Sequence, residues 1–131
     1  MFKIEGVAEI SEILGRWYPE DLAYIESVNL KLSKCGYHSD VEIIALFQLR
    51  GNHWPRSQEK FYRVNMFFGE VQGVELKHGG GYSQILGFEI NSIRDRGLEN
   101  INYEVKDYEE NKIYFNCRCI KVSYLDEFYF E

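Results

Sequence analysis

The residues that could do chemistry are few, and the densest group is Phe115-Asn116-Cys117-Arg118-Cys119, two thiols one residue apart beside a guanidinium, in a chain with three cysteines. Such a pair could hold a metal, exchange a disulfide or simply pack. On a regular strand, residues i and i+2 share a face with Cα atoms about 6.6 Å apart and side chains parallel, whereas a disulfide needs Cβ atoms within ~3.8 Å. Cys117 and Cys119 are therefore expected not to bond each other. They are expected to share an inward face with Ile113 and Phe115, where cysteine behaves as a small hydrophobe, and Arg118 should point to the other side. A zinc site would have to recruit Cys35 and His38, spaced C-x2-H on another turn. A C-x-C on a regular strand is a poor chelator and nothing in the sequence joins the two segments, so no metal or cofactor is expected.

The remaining candidates are weaker. Lys77-His78-Gly79-Gly80-Gly81-Tyr82-Ser83 could cradle a phosphate, but it lacks the strand-to-helix context and the G-K-[ST] ending of a P-loop, and it reads as a turn. Nucleophilic catalysis needs a Ser or Cys, a His base and an orienting acid in one cleft. His38, His53 and His78 all fall in turns or loops, and no G-x-S-x-G occurs. Glu20-Asp21, Glu109-Glu110 and Asp126-Glu127 read as solvated turn or tail charges rather than acid/base pairs. No catalytic residue is assigned, and the chain is not expected to be an enzyme.

The elements that must position these groups are mostly strands. Val7, Ile10, Ile13 and Leu14 lie on one face at helical spacing with Gly15 at the C-terminal cap position, which predicts one short helix. From about Tyr24 the period changes to two: Val28, Leu30 and Leu32 alternate with polar residues, and Asp40 to Arg50 puts Val41, Ile43, Ala45, Phe47 and Leu49 on one face. Further strands are expected at 59–68, 71–77, 83–93, 100–108 and 112–124. The connections are too short for parallel crossovers. The expected fold is α+β, a single domain over residues 1–131, with a mostly antiparallel, strongly curved sheet of about seven strands and one short N-terminal helix.

Composition narrows the function classes. With 131 residues, 45% of them hydrophobic and 16% aromatic, the chain has material for one core. Its net charge of −6 is uneven: residues 1–65 carry 8 basic and 9 acidic side chains, and residues 66–131 carry 7 and 12. An acidic half argues against nucleic acid or an anionic membrane as ligand, since phosphate contacts need Lys and Arg. Acidic residues interrupt the N-terminal stretch where a signal peptide would be apolar, and three cysteines fit reduced thiols, so a cytoplasmic location is expected.

Two surface features remain. The loop Asn52-His53-Trp54-Pro55-Arg56 carries a Trp that no period places in the core, and the tail Tyr124 to Glu131 interleaves aromatics with acids. Exposed aromatics anchor protein interfaces and acids steer basic partners. The plainer alternative is a Trp folded back on the sheet and a tail that closes the core edge.

Several stretches resemble the immunity protein 50 family of bacterial polymorphic toxin systems. They are the N-terminal helix running into Gly15-Arg16-Trp17, the strand 23–30, the segments 71–76 and 87–93, and the hairpin from Tyr103-Glu104-Val105 to Ile113–Val122 with its Phe-x-Cys. The chain departs where the family has a Pro-Ser-Phe-His-Asp-like stretch after the Trp: here the sequence is Trp17-Tyr18-Pro19-Glu20-Asp21-Leu22, without the His. Asn91 is the polar residue most like the family's. The resemblance implies a non-enzymatic protein that binds a cognate toxin domain, as a monomer or weak homodimer. Trp54, Asp107, Glu109, Glu110, Asp126, Glu127 and Tyr129 are the candidates for meeting a basic toxin surface. The competing expectation is a small-molecule-binding or enzymatic β fold with an aromatic-lined pocket that holds Asn91.

Overall fold

The computed structural model describes residues 4–32, 34, 36–49, 54–77, 83–93, 101–109 and 111–130. The helix α1 spans Val7–Leu14 and buries Ile10 and Leu14, and Gly15, at φ 92°, ends it by donating its N–H to Ser11 O. A turn of 3-10 helix at Pro19–Asp21 leads into the strands β1 (Leu22–Leu32), β2 (Ser39–Phe47) and β3 (Phe61–Leu76). The short β4 (Ser83–Gln84), β5 (Phe88–Ser92), β6 (Tyr103–Asp107), β7 (Ile113–Cys117) and β8 (Cys119–Phe128) complete the chain. No helix among the described residues is long and apolar enough to cross a membrane.

All strand pairs are antiparallel, as the short connections require, and the order is β4-β1-β2-β3-β7-β6-β5 with β8 also on β3. The fold is thus the expected antiparallel α+β arrangement with one α-helix, although the sheet is not strongly curled. Its organising element is β3. Where sequence periodicity suggested separate strands at 59–68 and 71–77, one strand of 16 residues runs through, because β2 on one edge spans the break, with Val41 opposite Phe68 and Ser39 opposite Val71. On the other edge Phe61 to Gly69 run alongside β8 (Phe61↔Phe128 to Gly69↔Cys119), and Gln72, Glu75 and Leu76 pair with β7 (Gln72↔Asn116 to Leu76↔Ile113) across an irregularity between Gln72 and Glu75.

A sheet residue can bury only one of two faces. On β2, β3 and β8 the buried set is Val41, Ile43, Ala45 and Phe47 opposite Val64, Met66 and Phe68, and these oppose Ile120 and Val122. This face forms one cluster with α1, Phe88, Val105, Ile113 and Phe115, so the two halves of the sheet share a core. The helix is tied to β8 by a parallel bridge: Glu5 N–H donates to Ile120 O (3.0 Å) and Val122 N–H to Glu5 O (2.8 Å).

Candidate functional site

The two thiols of the C-x-C do not share a face. Ile113, Phe115 and Cys117 are buried, then Ile120 and Val122, so the alternation slips by one residue at Arg118, whose N–H donates to Gly69 O (2.9 Å). Cys117 lies in the core and Cys119 on the exposed side. The expectation of a shared inward face fails because the i, i+2 rule holds only within an uninterrupted strand. Burial pushes the Cys117 thiol far above its ordinary pKa, and what burial Cys119 has raises its pKa too, so neither is favoured as a thiolate. Arg118 reaches Glu70 (2.9 Å), and the other carboxylate oxygen of Glu70 takes His38 (3.0 Å). His38 is thus engaged, Cys35 lies outside the described residues, and the thiols face opposite ways. This geometry cannot assemble the four-ligand zinc site weighed above. His53, His78 and the Gly79–Gly81 turn also lie outside the described residues.

The proposed contact residues divide into two places. Trp54 is 70% exposed in the loop between β2 and β3. That loop is fixed at its base by the buried side chain of Gln48, which accepts from Arg56 N–H (2.8 Å) and donates to Arg56 O (3.0 Å) and Lys60 O (3.3 Å). An amide that donates and accepts at once replaces a missing strand partner, and no sequence period marks it.

The end of β8 lies beside the start of β3, at the same end of the sheet as this loop. There the tail follows its own alternation. Phe128 and Phe130 turn inward against Tyr24 and Phe61 in edge-to-face contacts (ring centroids 5.0–5.7 Å), which with Ala23 and Leu46 make a second small core on the outer face. Tyr129 points out, 58% exposed. The tail therefore both closes a core edge and presents one aromatic.

The acids at this end are already engaged. Arg63 donates to both oxygens of Asp126 (2.8 and 2.9 Å) and to Glu26 (2.9 and 3.2 Å), and its guanidinium lies 5.0 Å from the Phe128 ring. Its pKa is raised above the ordinary value, first by the hydrogen bond to Glu26. Lys60 donates to Glu127 (3.3 Å) and sits over the Tyr62 ring (5.0 Å), and its pKa is raised first by Tyr62 and then by Glu127. Asp126 and Glu127 thus rim the aromatic patch as halves of ion pairs. Their long-range pull on a basic partner is partly cancelled.

The other three candidates belong to the β6–β7 connection, next to the far end of β3. Glu109 is exposed there, and Glu110 lies outside the described residues. Asp107 is corrected: it is 1% exposed, and its carboxylate accepts from Ile113 N–H (2.9 Å), closing the turn from within. A charge next to a turn reads as solvated in sequence; here it satisfies a buried backbone donor and is out of reach of a partner.

The acidic excess of the second half has another outlet. On the outer face of β5, β6, β7 and the end of β3, cross-strand registers align Asn91, Glu104, Asn116 and Gln72 in one row and Glu89, Lys106, Tyr114 and Glu75 in the next. Lys106 lies 3.6 Å from both Glu89 and Glu104, Tyr114 donates to Glu104 (3.3 Å), and Asn91 to Glu89 (3.3 Å). Asn91 is therefore part of a polar outer face and not of an aromatic-lined cavity. Sequence reading took these strands for their apolar side and missed the grid, although strict alternation would have shown it.

Comparison with known families matches the chain to the family model described as Immunity protein PIM8 over residues 8–123. No curated protein and no solved structure matches this chain.

Proposed function

The chain belongs to the immunity protein PIM8 family, and from that premise we propose that it is a non-enzymatic inhibitor that binds the cognate toxin domain of a polymorphic toxin system in the bacterial cytoplasm. Family membership supports a toxin-neutralising role, which is also the class that the resemblance to the immunity protein 50 family implied. The single observation that carries the reading is the match over residues 8–123. The geometry is compatible with it: an exposed Trp54 and Tyr129 stand at one end of the sheet on rigid supports, rimmed by the Lys60–Glu127 and Arg63–Asp126 pairs. Rigid aromatics on a fixed base give contact area at low entropic cost, and a rim of ion pairs sets register more than affinity.

The partner is then a protein, held by Trp54 and Tyr129 at the centre with Asp126 and Glu127 at the rim, while Glu109 and Glu110 at the far connection steer a basic surface. The test is co-expression with a toxin domain of a polymorphic toxin system, together with binding kinetics of the purified pair. Trp54→Ala and Tyr129→Ala are each expected to weaken binding by about 2 kcal/mol, mainly through faster dissociation. Charge reversal at Glu109 and Glu110 is expected to slow association at low salt only. Protection from the toxin that survives both aromatic changes would move the contact elsewhere, and no protection by the wild-type chain would reject the role.

A further inference from the structure

Trp54 stands on a short, stiff lever. The next residue is Pro55, whose ring fixes its own φ at about −65° and holds the residue before it to extended backbone. After it comes Arg56, whose peptide groups are gripped by the Gln48 carboxamide: Arg56 N–H donates to Oε1 (2.8 Å), and Arg56 O accepts from Nε2 (3.0 Å). Exchanging both bonds with one residue is what a paired residue on a neighbouring strand does. Arg56 O also accepts from Glu59 N–H (3.0 Å), which closes the turn that follows. Only the proline therefore separates Trp54 from an anchored residue.

The anchor is itself fixed. Gln48 is 6% exposed and its backbone N–H donates to Asp21 O (3.1 Å), while the Asp21 carboxylate takes two bonds from Arg16 (2.9 and 3.1 Å). The same Nε2 reaches Lys60 O (3.3 Å), one residue ahead of Phe61, whose partner Phe128 precedes Tyr129. One buried amide thus ties the arm of Trp54 and the strand end beside Tyr129 to a common frame. We propose that Gln48 is a positioning residue for partner binding: buried and out of a partner's reach, it holds Trp54 in the orientation from which Trp54 and Tyr129 meet the same surface. This rests on the reading of those two aromatics as contact residues. A residue that acts by orientation sets the fraction of molecules competent to bind, so its loss slows association, whereas loss of a contact speeds dissociation.

Two variants test this. Gln48→Leu removes the grip, and Pro55→Gly frees the lever in a loop outside the core while leaving Gln48 in place. Both are made in a Trp17→Phe background, which leaves Trp54 as the only tryptophan and gives up no hydrogen bond, since Trp17 Nε1 has no partner among the described residues. Without any partner present, the fluorescence anisotropy of Trp54 is expected to decay with the tumbling of the whole molecule when Gln48 and Pro55 are intact, and to gain a fast component in both variants. Against a toxin domain that the chain neutralises on co-expression, both variants are expected to associate about tenfold more slowly, as for a loop oriented about a tenth of the time, with dissociation changed less than about twofold. Neither should weaken binding further once Trp54→Ala is present. Equal mobility of Trp54 with and without the Gln48 amide, or an undiminished effect of Gln48→Leu in the Trp54→Ala background, would overturn the proposal. Weaker binding in Trp54→Ala but not in Gln48→Leu or Pro55→Gly would overturn it alone, whereas unchanged binding in Trp54→Ala would overturn it together with the reading it rests on.

Discussion

Gly6 and Gly15 flank the same helix with nearly the same backbone angle, φ 89° and 92°, but in different surroundings. A Cβ at Gly15 meets nothing within 4 Å, whereas a Cβ at Gly6 would run into the carbonyl oxygen of Val122. Gly15→Ala therefore suffers only the left-handed backbone strain, about 1–2 kcal/mol. Gly6→Ala suffers the same strain and must also lift the chain off β8. That lift weakens the bonds Glu5 N–H to Ile120 O and Val122 N–H to Glu5 O, about 1 kcal/mol each, and loosens the packing of Ile10 and Leu14. The total for Gly6→Ala is about 3–5 kcal/mol, roughly 2–3 more than for Gly15→Ala. Urea unfolding of both variants measures the difference directly, since their m-values should match if only the folded state changes. Midpoints corresponding to costs within about 0.5 kcal/mol of each other would refute the close approach of the helix entry to β8.

Gly69→Ala would place a Cβ 2.6 Å from the Cys119 sulfur. It should destabilise by about 1–3 kcal/mol and be largely rescued by Cys119→Ala, a coupling readable in a double-mutant cycle. Asp107→Ala leaves the Ile113 N–H unpaired inside the protein and should cost about 2 kcal/mol in urea unfolding, with Asp107→Asn losing less. The buried Cys117 thiol has a folded pKa raised above its ordinary value of about 9, so its contribution to stability is complete below that pH and is lost as pH rises above it, by up to about 1.4 kcal/mol per unit. The stability gap between wild type and Cys117→Ala should therefore shrink between pH 8 and 10, and a constant gap would contradict the burial. Arg63→Met removes the cation shared by Glu26 and Asp126, and a loss of about 1 kcal/mol that diminishes in high salt is expected.

Local pattern determined a good deal of this protein. The helix from Val7 to Leu14 with its glycine stop, the alternation along β2 and the hairpins at short connections are set by nearest neighbours in the chain, because a side chain's face follows from its period. Even so, Ile13, placed on the apolar face with Ile10 and Leu14, is 53% exposed because no strand among the described residues lies over that part of the helix. The tail shows the same logic, with Phe128 and Phe130 turned in and Tyr129 out. Tertiary structure decided what periodicity cannot reach. The slip at Arg118 that sends Cys117 and Cys119 to opposite faces, the continuity of β3 across Gly69 and Glu70, the hold of Gln48 on the Trp54 loop and the burial of Asp107 each depend on a partner distant in sequence. Alternation tells which side of a strand is apolar, but it does not say which strand will lie alongside. Pairing register, bulges and the satisfaction of buried polar groups are properties of the pair, so they emerge only when the sheet has closed around its core.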